Sequence, residues 1–158
     1  MKRIVSALLA LAVLAALTLV TTTSKHAVRT VYAQSGCSVA TLNGDYAFSQ
    51  AGWAPSAGQG NQLPFFNVGV VALGGTGTFS VSFTDVSDGV VSTETDAGTY
   101  TVNPDCTGSI SVTTGPAAGV TFDMVIIGRG EGRGEELFGV NTAAGFTSSF
   151  DAKKQLSD

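Results

Sequence analysis

Glu94 and Asp96 are the residues of this chain whose type and spacing best suit acid–base chemistry. Residues two apart in an extended strand share a face, so this pair would point the same way as Tyr100 and Val102. Inward, burial would raise their pKa values and fit them for general acid–base work. Gly98 lies between the pair and Tyr100, however, and a glycine inside a strand often marks a bulge that reverses the face. The sequence therefore favours an exposed acidic segment bulged at Gly98, with catalytic carboxylates as the alternative. Other chemistries are excluded more firmly. His26 is the one histidine and falls in the N-terminal leader; beyond it Ser-His-Asp, Cys-His and His-based zinc sites have no imidazole. Gly74-Gly75-Thr76-Gly77 lies between two strand-like runs and matches neither a Walker loop nor a dinucleotide fingerprint. Asp85 and Asp88-Gly89 offer too few oxygens for calcium and suit a solvated hairpin tip, and Glu131, Glu135 and Glu136 suit another exposed face. The sequence calls for no metal and no cofactor.

The leader governs what remains. Lys2 and Arg3 precede an apolar stretch from Ile4 to Val20, interrupted by Ser6 and Thr18, and Val31-Tyr32-Ala33 offers a small-x-small cleavage site. The expected organisation is a helical signal peptide over residues 1–33 and a β-domain over 34–158, exported to the periplasm or the exterior. The apolar stretch could also stay uncleaved as a short membrane anchor; the Thr/Ser run after Val20 and the Ala33 site favour cleavage, leaving no stable span. A lipoprotein site at Cys37 lacks its apolar residue. Residues 34–158 would carry four basic side chains against twelve acidic ones, a formal charge of −8. Such a charge repels nucleic acid and anionic bilayers, so Arg129-Gly130-Glu131-Gly132-Arg133-Gly134 suits an exposed hairpin loop, not an RNA-binding segment. Cys37 and Cys106 form an even pair in a chain bound for an oxidising compartment, which implies a disulfide.

The elements that must position these residues are strands. Phe79, Val81 and Phe83 alternate with Thr78, Ser80, Ser82 and Thr84, one face apolar and the other hydroxylic. Similar runs cover Asp45–Gln50, Val90–Val102, Ser109–Thr114, Val120–Ile127, Glu136–Thr142 and Phe146–Lys153. Phe65–Leu73 is apolar on both faces and should be central or covered. About eight strands with short connections predict an all-β fold: a single eight-stranded antiparallel up-and-down barrel, with a β-sandwich as the alternative. Gly52–Pro64 is the one long irregular stretch, able to cap a barrel mouth, with Trp53 equally suited to be a lid or a plain packing residue. Tyr46, Phe48, Phe79, Val81, Phe83, Tyr100, Phe122 and Met124 would line the interior with Val102, Ile110, Val112 and Phe146. They would either pack a solid core or surround a small apolar ligand.

Leu42-Asn43-Gly44-Asp45-Tyr46-Ala47-Phe48, Gly77-Thr78-Phe79-Ser80, Gly98-Thr99-Tyr100-Thr101-Val102-Asn103-Pro104-Asp105-Cys106-Thr107-Gly108-Ser109 and Phe122-Asp123-Met124-Val125-Ile126-Ile127 together resemble the secreted bacterial allene oxide cyclase barrel-like proteins. The resemblance spans most of Cys37–Gln155 and implies an eight-stranded, lipocalin-like barrel. The plant enzymes of this group cyclise a fatty-acid epoxide with a buried carboxylate, but none of their catalytic residues maps onto this chain. Three functions follow: a secreted barrel that binds a small apolar or amphipathic ligand without transforming it, a barrel cyclase or isomerase using Glu94 or Asp96, or a surface interaction module with a packed core. Nothing in the sequence assigns an oligomeric state.

Overall fold

The computed structural model describes residues 36–56, 61–128 and 134–156; the leader, its cleavage site and most of the Arg/Gly/Glu loop lie outside them. Eight strands form, each alternating inward and outward side chains: β1 (Asn43–Pro55), β2 (Gln62–Gly74), β3 (Thr78–Ser87), β4 (Val90–Val102), β5 (Thr107–Thr114), β6 (Thr121–Ile127), β7 (Glu136–Asn141) and β8 (Thr147–Lys154). Each pairs antiparallel with its neighbour in sequence. β1 closes the sheet onto β8 from Tyr46 opposite Lys154 to Trp53 opposite Thr147. The fold is the up-and-down barrel; the sandwich is not formed.

Three sequence expectations change. The Gly52–Pro64 stretch is mostly strand, because β1 continues to Pro55 and β2 begins at Gln62, with Trp53 opposite Pro64. Trp53 shares the outward parity of Ala47 and Ala51 and is 49% exposed, so it does not lid the barrel. β2 is neither central nor covered. In a closed barrel every strand has one solvent face, and Phe66, Val68 and Val70 stand exposed on the outside of β2.

The interior is fitted in register. Gly98 pairs with Phe79 and Gly139 with Phe150. A Cβ on Gly98 would stand 2.7 Å from the Phe79 ring, and one on Gly139 2.1 Å from that of Phe150. These glycines give up side chains so that an aromatic ring can cross the narrow lumen.

One end of the barrel is closed. Residues Val39–Thr41 form a single 3₁₀ turn across it, and Leu42 behind that turn is fully buried. The Cys37–Cys106 disulfide ties this segment to the β4–β5 turn, across 69 residues of chain. Two buried tyrosines complete the closure. Tyr46 donates its hydroxyl to the Gly134 carbonyl at 2.6 Å, and the Tyr100 hydroxyl shares its proton between the carbonyls of Leu42 (2.9 Å) and Val39 (3.2 Å). Burial, reinforced by neighbouring Tyr100, pushes the Tyr46 phenol up to about 12, so it remains a donor throughout the neutral range. Among the described residues no helix is long and apolar enough to cross a membrane.

Replacing both cysteines by alanine frees a loop of 69 residues in the unfolded chain. The expected loss of stability is about 4 kcal/mol in the chain-entropy account, measured as a fall in the equilibrium urea midpoint. Tyr46→Phe strands a buried carbonyl and should cost roughly 1–3 kcal/mol by the same assay. No loss in either variant would mean that this end is held by other contacts.

Candidate functional site

The opposite end is open. Strands β1 and β2, β3 and β4, β5 and β6, and β7 and β8 are joined there, and a cavity of about 560 Å³ runs down from it into the lumen. Its apolar floor and walls include Phe48, Phe79, Val81, Phe83 and Phe122. Five of the eight lining residues expected from sequence are therefore at the cavity. Tyr46, Tyr100 and Met124 are not: they are buried in the packing of the closed end. Their inward parity was legible, but their depth along the barrel depends on strand length and stagger, which alternation does not encode.

The polar wall is the larger departure. Glu94 and Asp96 both face the cavity, Glu94 half-buried and Asp96 only 6% exposed. The expected exposed acidic segment is not formed. A bulge does occur at Gly98, but the extra residue belongs to the partner strand. Ala97 pairs with Thr114 and Gly98 with Val112, so Thr113 on β5 is the unmatched residue. β4 keeps its alternation through the bulge, and Ser92, Glu94, Asp96, Gly98 and Tyr100 all point inward.

Asp85 joins them. β3 extends to Ser87, which makes Asp85 an inward strand residue opposite Ser92 instead of a solvated turn residue. Glu94 sits opposite Phe83 and Asp96 opposite Val81. The backbone positions of neighbouring acidic residues are thus about 7 Å apart, along β4 for one pair and diagonally across β3–β4 for the other. Burial raises the pKa of Asp85, and the charge of Glu94 raises it further. Burial is also the largest influence on Asp96 and raises its pKa; the Ala117 N–H hydrogen bond pulls the other way, and Glu94 adds a second upward push.

Each carboxylate has a defined partner. The amide orientation of Asn67 that satisfies its neighbours donates to Asp85 and to the Phe66 carbonyl. Ser92 donates to Glu94 at 2.9 Å. Asp96 accepts the Ala117 N–H at 3.3 Å, which brings the Gly115–Val120 loop over the cavity. Gly115 permits that approach: its φ of +94° suits glycine, and a Cβ there would lie 1.9 Å from the Asp96 carboxylate. Sequence reading missed Asp85, Asn67 and Gln50 as cavity residues. The available signal was Asn67, the sole polar side chain in the Phe65–Leu73 run.

Among the described residues the lining contains no Lys, Arg, His or Cys, and no three acidic, His or Cys side chains are grouped to hold a metal ion. The geometry defines a class: a closed eight-stranded barrel with one plugged end, one open end, and an apolar cavity with a carboxylate-bearing wall. No protein-family model and no curated protein matches the chain.

The raised pKa of Asp96 has a definite sign. Its contribution to stability is complete below the unfolded-state value of about 4 and is lost as pH rises through the higher folded-state value. Asp96→Asn keeps the acceptor for Ala117 and removes the charge. Its melting temperature should exceed that of the parent by about 2–5 °C at pH 7 and by nothing measurable at pH 3. Differential scanning calorimetry at both values decides the matter, and an equal shift at both would rule out the charge as the cause.

Proposed function

We propose that this protein is an exported binding barrel that holds one small amphipathic molecule in its cavity without transforming it. The observation that carries the reading is the cavity itself. Its volume of about 560 Å³ falls within the ordinary range for small-molecule sites, and its mostly apolar walls carry a few convergent polar groups, as such sites do. A packed interaction module would instead fill the lumen. Export is supported by the Cys37–Cys106 bond, which belongs to oxidising compartments. Membership of the allene oxide cyclase barrel-like group forms part of the proposal, and the closed eight-stranded topology supports it. A second reading, an isomerase, rests on one observation: Asp96 is a buried carboxyl with a raised pKa at a cavity wall, as a general acid requires.

Native mass spectrometry of the chain taken from its producing cell, without detergent, tests both readings. Binding predicts one discrete added mass, released unaltered on denaturation. It should be absent from Val81→Phe, which places a ring inside the cavity opposite Asp96. Retention of the added mass by that variant would place the ligand elsewhere. Conversion of the recovered compound on reincubation would favour the isomerase.

A further inference from the structure

We propose that the molecule held in this barrel is a cationic amphiphile, with its amine or quaternary ammonium end on the Asp85–Glu94–Asp96 wall and its apolar part among Phe48, Phe79 and Phe83. The inference deepens the binding reading and rests on it.

Two independent observations carry it. The first is the cavity, whose described lining contains three carboxylates and no basic side chain. The second is Asp96. It is more than nine-tenths buried, yet its hydrogen bonding among the described residues consists of one N–H, from Ala117, to one oxygen. Its other oxygen receives no hydrogen bond from the described residues and is not enclosed by protein, so it is accessible at the cavity wall. A carboxylate oxygen placed there is available to a donor or a cation that enters the cavity. Asp85 and Glu94 are already served by Asn67 and Ser92, both neutral, so the wall's negative charge is solvated but not balanced.

A metal ion does not fit, because the acidic groups are not gathered into a ligand set. An organic cation does. An ammonium group brings up to three donors, and a quaternary ammonium is attracted to aromatic faces. Phe83 pairs with Glu94 and meets the Phe48 ring edge-on at 6.2 Å, so aromatic surface lies next to the charge. A carboxylate-headed lipid would be repelled by the same wall. The titratable groups facing the cavity are Asp85 on β3 and Glu94 and Asp96 on β4; the lining from the other six strands and the Gly115–Val120 loop contributes none.

Isothermal titration of the full chain at pH 7 and low salt would compare decyltrimethylammonium, decanol and decanoate below their micellar concentrations. The expected order places the ammonium about tenfold tighter than the alcohol, with decanoate weakest. Glu94→Gln and Asp96→Asn should each weaken ammonium binding several-fold more than decanol binding, and the two variants test the wall independently. The preference should shrink at pH 4 as Asp85 and Asp96, whose pKa values burial raises, take up protons. Decanol or decanoate binding as tightly as the ammonium overturns the inference and leaves the pocket reading standing. An ammonium preference undiminished in both variants assigns it to the acidity of the whole chain, and also overturns it. If none of the three binds, the pocket reading fails and the inference with it.

Discussion

Pairing of β1 with β8 is the constraint on which the remaining structure depends. It removes both sheet edges and commits eight strands to a lumen barely wide enough for side chains. Within that width each inward position is in competition with those across from it. Gly98 and Gly139 yield to Phe79 and Phe150 for this reason. Closure also fixes which residues can meet across the lumen, so the character of each barrel end follows from a few positions in register.

The two ends resolve the competition differently. At the closed end, polarity is confined to neutral hydroxyls that each find a carbonyl, and the disulfide holds the covering turn in place. Such an arrangement costs little, since a buried neutral group with a partner is nearly compensated. At the open end the small side chains Ala54, Ala117, Ala118, Ala143 and Ala144 leave the lumen unfilled. Among the described residues, inward carboxylates occur only there, where solvent or a ligand can reach them. The polar inventory is thus divided along the barrel axis by the cost of desolvation.

The strands, their order and the disulfide were legible in the sequence because each rests on local or compositional signals. Phe79-x-Val81-x-Phe83, alternating with Thr and Ser, has the period of a half-buried strand, and two cysteines behind an expected leader imply a bond. The carboxylate wall was not legible. A glycine at position 98 announces a bulge, but which strand supplies the extra residue is a property of the β4–β5 pair, and Thr113 supplies it. Asp85 was misplaced because a hairpin tip at Asp88-Gly89 fits a shorter β3 equally well. Trp53 suited a lid because Gly52–Pro64 reads as irregular chain, whereas its pairing with Pro64 and its outward parity place it on the surface.

Stability alone would not retain the wall. Replacing buried charges by well-packed apolar residues is often neutral or stabilising, and Val or Leu at position 96 would continue the surface formed by Val81 and Val112. Nor does Asp96 serve mainly to anchor the Gly115–Val120 loop. That loop is already tied by backbone hydrogen bonds from Gly119 N–H to Val112 O, from Val112 N–H to Val120 O, from Val120 N–H to Ala117 O and from Ala118 N–H to Gly115 O. A carboxylate adds one hydrogen bond to a segment that has four. What distinguishes Asp96 from an apolar substitute is negative charge at the edge of an apolar cavity, which neither core packing nor loop anchoring calls for.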